Sequence, residues 1–95
     1  MASSRTSDLL TANTAICTGV NRINAVTLIT DGTNAATVTV YDNPSAASGK
    51  VVAKATASGA QNTVQLKFTN PVYCETGIYA VVSGTGAAYI VHFGG

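Results

Sequence analysis

Few residues in this chain carry groups that could take part in catalysis. There are four acidic residues and one histidine, His92. Asp31 and Asp42 stand beside turn-forming residues, where aspartate commonly accepts hydrogen bonds from its own turn. A nucleophilic triad needs a base, an orienting acid and an activated hydroxyl or thiol, and no motif of that kind surrounds His92. The sequence therefore predicts a protein that is not an enzyme, with no catalytic residue and no cofactor.

Two cysteines, Cys17 and Cys74, could in principle bind a metal or form a disulfide. Their spacing matches no zinc motif, and a single histidine cannot complete a four-ligand site, so no metal site is expected. Both lie in strand-like runs, and a cytoplasm keeps thiols reduced. We predict that they are buried as small apolar residues. A disulfide stays open as the alternative, because strands distant in sequence can be neighbours in a sandwich.

Aromatic residues offer a second kind of chemistry, stacking against sugars or bases. The sequence has four tyrosines and no tryptophan. All four fall in predicted strands, and three of them belong to strands whose core also needs large side chains. A carbohydrate-binding module is therefore an alternative interpretation rather than the first one.

Charged residues are scarce. They make up 9% of the sequence and leave a net charge of +1, whereas ordinary domains carry about 25% charged residues. The five basic residues are scattered, so they form no stripe for nucleic acid. The first residues lack the apolar stretch of a signal peptide, and no segment is long enough to span a bilayer. We expect synthesis in a cytoplasm, no nucleic-acid or membrane partner, and association of the neutral surface with other protein, including copies of itself.

Alternation of apolar and polar residues predicts strands throughout the chain. Val64, Leu66 and Phe68 alternate with polar residues, which is the pattern of a strand with one buried face. Clusters of glycine, proline, asparagine and serine separate such runs. The predicted strands are 14–18, 23–30, 36–42, 50–55, 63–69, 71–75, 78–83 and 87–93. This spacing predicts an all-β domain, a compact antiparallel β-sandwich, and residues 83–86 predict a hairpin between the last two strands.

The hairpin predicted for 78–93 carries apolar side chains on both faces. A two-layer sandwich covers only one face of each sheet, so we predict that this segment contributes to a subunit interface. The N-terminal residues 1–13 are predicted to be an extended arm, separate from a sandwich domain over 14–95. Three alternatives stay open for them: a disordered tail, an arm that orders on contact with a neighbouring subunit, or a segment that folds back over the second face. The predicted interface residues are Leu9, Leu10, Tyr79, Val81 and Tyr89.

Two stretches carry a resemblance to a known class of protein: TDGTNAATVTVYDNPSAASGKVV at 30–52 and GIYAVVSGTGAAYIVHF at 77–93. Together with the strands between them, residues 23–93 resemble small virion structural proteins of tailed bacteriophages. The likeness covers about three-quarters of the chain by these bounds. It consists of turns and strands, and no functional residue carries over from it.

The resemblance implies a jelly-roll-like sandwich and a place in the virion. The expected function is that of a capsid decoration (cement) protein, which stabilises the head shell through contact with the major capsid protein. The alternative is a recognition module of a tail or fibre that binds a host-surface glycan. Threefold sites on capsids favour a trimer among the possible homo-oligomers. The expected location is the virion, after synthesis in the host cytoplasm.

Overall fold

A computed structural model of the chain describes residues 5–59 and 63–94. Within these residues the protein is all-β and contains no helix. The strands are β1 (Arg5–Thr6), β2 (Thr14–Thr18), β3 (Asn21–Ile29), β4 (Ala36–Tyr41), β5 (Val51–Ala57), β6 (Thr63–Cys74), β7 (Gly77–Ser83) and β8 (Ala88–Gly94).

The strands form two antiparallel sheets of four strands each. Sheet A has the order β1-β8-β3-β6, and sheet B has the order β2-β7-β4-β5. Both sheets direct alternate side chains into one shared core, which gives a sandwich-like body. The largest fully buried side chains are Tyr89, Ile23, Leu28, Ile78, Val26, Val38, Val40, Val91 and Cys74.

The pairing pattern is that of one long hairpin rolled up on itself. β4 pairs with β5, β3 with β6, β2 with β7 and β1 with β8. Two further pairings, β3 with β8 and β4 with β7, then join these ribbons into the two sheets. As a result, strands that lie far apart in sequence become direct neighbours.

The turns gather at two ends of the body. The Asp42 end consists of residues 19–20, 42–50 and 75–76, and the Asp31 end includes residues 30–35, 58–59 and 84–87. At the Asp42 end, the Gly19 amide donates a hydrogen bond to the Thr76 carbonyl at 2.8 Å. This bond ties the β2–β3 turn to the β6–β7 turn.

Two details differ from the sequence predictions. The segments 63–69 and 71–75 form one strand, β6, in which the register against β3 shifts between Ile23 and Ala25. Proline does not end this strand because β6 lies at a sheet edge, where proline is tolerated. The predicted hairpin over 78–93 is wrong, since β7 belongs to sheet B and β8 to sheet A. Gly84 and Gly86, both with positive φ, turn the chain from one sheet to the other.

The N-terminal residues from 5 onward lie against β8 of the same chain. Thr6 lies opposite His92, and Leu10 and Tyr89 exchange backbone hydrogen bonds of 2.9 and 2.8 Å. Ser7, which lies between Thr6 and Leu10 in the chain, makes two hydrogen bonds to Val91, both of 2.9 Å. Its backbone N–H donates to the Val91 carbonyl, and its hydroxyl accepts from the Val91 N–H. An extended arm is therefore not confirmed, and the division at residue 13 stays a prediction.

Candidate interaction surfaces

The outer face of sheet B carries a row of uncharged side chains that crosses all four strands. Tyr79 on β7 lies opposite Tyr41 on β4 and opposite Ala15 on β2, and Tyr41 lies opposite Val51 on β5. Both tyrosines are half-buried, and Val51 is 50% exposed. Residues directly opposite each other in antiparallel strands share a face. We call Ala15, Tyr79, Tyr41 and Val51 the tyrosine row.

Two further rows complete this face. Val81 lies opposite Thr39, which in turn lies opposite Lys54, and Thr37 lies between Ser83 and Thr56 in the same way. Among these paired positions and the tyrosine row, Lys54 is the one charged residue. The sheet B outer face is thus a broad β surface of aromatic, β-branched and small side chains.

The outer face of sheet A has a different composition. Its central row is Ile90, Thr27 and Gln65, and next to it His92 and Lys67 lie on either side of Ala25. Leu9, 55% exposed, precedes Leu10, whose side chain packs on the core. The Leu9 side chain is therefore largely exposed to solvent, next to the point where Leu10 pairs with Tyr89 of β8.

The five predicted interface residues fall in two places. Tyr79 and Val81 share the sheet B outer face, whereas Leu9, Leu10 and Tyr89 lie on or beside β8. Tyr89 has no exposed surface, and its hydroxyl donates a 2.7 Å hydrogen bond to the Ala12 carbonyl. Burial raises the pKa of this phenol. The interface prediction stays a prediction, and four of its five residues keep exposed surface.

Tyr41 is the surface residue that sequence reasoning missed. Alternation along β4 places Tyr41 on the outer face, so the sequence pattern predicts that its side chain points outward. The pattern does not predict its position opposite Tyr79, because 38 residues separate them in the numbering and only the topology brings β4 beside β7.

Two of the four acidic side chains, Asp42 and Asp31, accept hydrogen bonds within turns. The Asp42 carboxylate accepts the amides of Glu75 at 3.0 Å and Thr76 at 2.9 Å, and these bonds hold its pKa below the usual value. The Asp31 carboxylate accepts the amides of Asn34 and Thr33 at 2.8 and 2.9 Å, and its pKa is lowered for the same reason. Across the described residues, no group of three His, Cys, Asp or Glu side chains could hold a metal ion.

Both cysteines are thiols in the structure, Cys74 fully buried and Cys17 half-buried. Burial raises the pKa of the Cys74 thiol to about 11, with the negative charge of Asp42 as the next cause. A thiol with this pKa is protonated at neutral pH and is a weak nucleophile. The position of Cys74 fits the predicted packing role.

Comparisons with known proteins identify no family for this chain. No family model matches the sequence, and neither a curated protein nor a solved structure matches the chain. Separately, no helix among the described residues has the length and apolar character needed to cross a membrane.

Proposed function

We propose that this chain is a non-enzymatic structural protein of a bacteriophage virion, a capsid decoration (cement) protein that stabilises the head shell. The observation that carries the proposal is the sheet B outer face, with its tyrosine row and a single charge at Lys54. A surface of this kind can dock on the major capsid protein without removing many charges from water, which would be costly.

The tyrosine row has the chemistry of a protein-binding surface. Tyrosine is enriched in interfaces because its ring buries a large apolar area while its hydroxyl keeps a hydrogen-bond partner. Tyr41 and Tyr79 occupy directly opposed positions at the middle of the row, with smaller neighbours at Ala15 and Val51. Clustered aromatic residues ringed by smaller ones are typical of the residues that dominate binding energy.

The strand order also supports the proposal. We infer a jelly-roll fold, since eight antiparallel strands pair as a rolled hairpin and divide into sheets of four. Jelly rolls of eight strands are common in viral capsid proteins. The resemblance of 23–93 to small virion proteins implies the same architecture. Fold alone does not define function, so the surface has to be tested directly.

Virions of the encoding bacteriophage, prepared without this protein, provide the test. Added wild-type protein is expected to bind the heads and raise the temperature at which they open. Val81→Asp places a carboxylate on the sheet B outer face, where docking would leave it unpaired in a dry contact. This variant should melt like wild type, because Val81 retains exposed surface, yet bind weakly.

Ser45→Asp is the matched control, because it adds the same charge at an exposed position outside the strands of this sheet. It should bind heads as wild type does. Wild-type protein that neither binds heads nor changes their stability would refute the decoration role. Equal binding by both variants would remove the sheet B outer face from the contact.

The alternative function is a tail or fibre module that binds a host-surface glycan. The tyrosine row is the observation in its favour, because the faces of aromatic rings can stack on sugar rings. Reproducible binding to a sugar on a glycan array, lost in Tyr41→Ala and in Tyr79→Ala, would favour this alternative. Head binding without sugar binding favours decoration.

A further inference from the structure

The sandwich-like body has two long edge strands, one from each sheet. β6 ends sheet A with 12 residues, and β5 ends sheet B with seven. In the part of the chain that the structure describes, each pairs with one neighbour only, β6 with β3 and β5 with β4. The outer side of an edge strand presents backbone groups that another strand can pair with.

The first half of β6 combines an open edge with half-exposed apolar side chains. Val64 and Leu66 lie opposite the buried residues Leu28 and Val26 of β3, so they are on the core side, yet both remain half-buried. Phe68 continues this side and packs partly against the core. These three side chains form an incompletely covered apolar strip along the edge of sheet A.

We propose that two copies of this chain pair through residues 63–69 of β6, antiparallel, about a twofold axis at Leu66. In this register Leu66 lies opposite its own copy, and Val64 lies opposite the partner's Phe68. The two sheets A then form one continuous sheet of eight strands. Apolar residues meet apolar residues on the core side, and such cross-strand pairs are the unit of sheet stabilisation.

Charge and the covering of apolar side chains together select this register over its neighbours. A twofold axis has to pass through a residue position, because otherwise core-side residues would oppose outward ones. An axis at Lys67 would place two cations directly opposite each other, which is unfavourable. Among the described residues of this segment, an axis at Gln65 would pair only 63–67 and leave Phe68 uncovered. The axis at Leu66 sets Lys67 opposite Gln65 and Thr63 opposite Thr69.

Pro71 sets the limit of the pairing. Proline has no amide hydrogen to donate to a partner strand, and it lies within the stretch where β6 changes register against β3. The part of β6 before Pro71 is residues 63–70, and the proposed axis uses seven of these, 63–69.

β5 lacks the features that favour pairing at β6. Its core-side residues include three alanines, Ala53, Ala55 and Ala57, all already buried within the chain, and one larger residue, the half-buried Val52, near its start. A second copy would therefore cover less additional apolar surface there than beside Val64, Leu66 and Phe68. An axis at Lys54 would also oppose two cations. β6 is thus the edge at which self-pairing removes more apolar surface from water.

Substitution of Gln65 tests the register, because Gln65 is exposed and points away from the core. Gln65→Glu would create two symmetric pairs with Lys67 of the other copy, and Gln65→Lys would create two repulsive ones. Sedimentation from micromolar to millimolar concentration should show a dimer that tightens roughly two- to thirtyfold in Gln65→Glu and weakens by a similar factor in Gln65→Lys.

A charge exchange provides a second and more stringent test of the register. Gln65→Lys combined with Lys67→Glu should restore dimerisation, since opposite charges again face each other across the axis. Thr56→Glu and Thr56→Lys are the matched controls. They make the same changes beside Lys54 on β5 and should leave the dimer unchanged.

A chain that stays monomeric at millimolar concentration, even as Gln65→Glu, would overturn the proposal. A dimer that responds to Thr56 and not to Gln65 would also overturn it, and would assign the contact to β5. Neither result would affect the proposed function, because a monomer that binds heads through the sheet B outer face remains a decoration protein. A trimer that ignores all four substitutions would reject β6 pairing in favour of the threefold assembly.

Discussion

The Asp42 end and the Asp31 end of the body hold their turns together by different means. At the Asp42 end, one carboxylate accepts amides 33 and 34 residues away, those of Glu75 and Thr76, and also the Thr76 hydroxyl at 3.0 Å. At the Asp31 end, the carboxylate accepts amides only two and three residues away, those of Thr33 and Asn34. Asp42 therefore joins two turns, whereas Asp31 stabilises the turn in which it lies.

Close backbone contact joins two turns at the Asp31 end. Gly84 has φ of 116°, and a Cβ atom built on it would lie 2.9 Å from Ala36 Cα. The turn before β8 therefore packs directly on the start of β4. The comparison shows two ways of joining turns at the ends of such a sandwich. At the Asp42 end a carboxylate accepts hydrogen bonds from the neighbouring turn, and at the Asp31 end a glycine lets two backbone segments pack closely.

Gly84→Ala should produce the largest effect. The substitution combines a left-handed backbone conformation with a backbone clash, and we expect a loss of about 3 kcal/mol in the free energy of unfolding. Chemical denaturation measures it. Gly19→Ala is the control at the Asp42 end, because Gly19 has φ of 89° and nothing within 4 Å of a built Cβ. It should cost only about 1–2 kcal/mol, and equal losses would show that close packing at Gly84 contributes nothing.

Asp42→Ala should come next. The amides of Glu75 and Thr76 would lose a charged acceptor in a partly exposed site, which costs about 1–2 kcal/mol. Asp42→Asn keeps one acceptor oxygen and should retain part of that stability. Hydrogen exchange at the two amides should accelerate in Asp42→Ala. Unchanged exchange would mean that the carboxylate does not hold the β6–β7 turn.

Acid should weaken both ends. Asp42 and Asp31 have pKa values below the usual 3.8, so the folded state binds fewer protons than the unfolded state. The stability that this difference supplies is complete above about pH 4 and is lost as the pH falls through the folded-state values. Thermal melting between pH 7 and pH 2 measures the loss. A wild-type acid response retained in full by Asp42→Asn would contradict the assigned contribution of Asp42.

Asp31→Ala should have the smallest effect of the series. Its hydrogen bonds are local and exposed to solvent, so water can replace them. We expect a smaller decrease in Tm than for Asp42→Ala, measured in the same buffer. A larger decrease would reverse the comparison between the two ends.

These two aspartates also show how far the sequence could be interpreted. Both stand after a strand and beside turn-forming residues, and the sequence predicts a turn role for both. That prediction is complete for Asp31, whose partners are its neighbours. For Asp42 it misses the main partners, because nothing local to Asp42 indicates that the β6–β7 turn is adjacent.

The same division applies to the strands and the candidate surface. Alternation predicted the all-β class and the core-side positions Val64, Leu66 and Phe68, since each depends on the immediate neighbours along the chain. The positions of β7 and β8 in different sheets, and of Tyr41 beside Tyr79, depend on how distant segments meet. Local sequence patterns do not indicate which distant strands become neighbours.

The rolled-hairpin pairing has a consequence for the order in which the structure forms during synthesis. Of the six strand pairings within residues 5–59 and 63–94, only β4 with β5 joins strands that are consecutive in the chain. The β4–β5 hairpin can therefore form early, while β3, β2 and β1 must wait for β6, β7 and β8 in turn. Folds dominated by such distant pairings fold slowly. Until the ribosome has made β8, residues 5–10 lack the strand on which they lie in the finished protein.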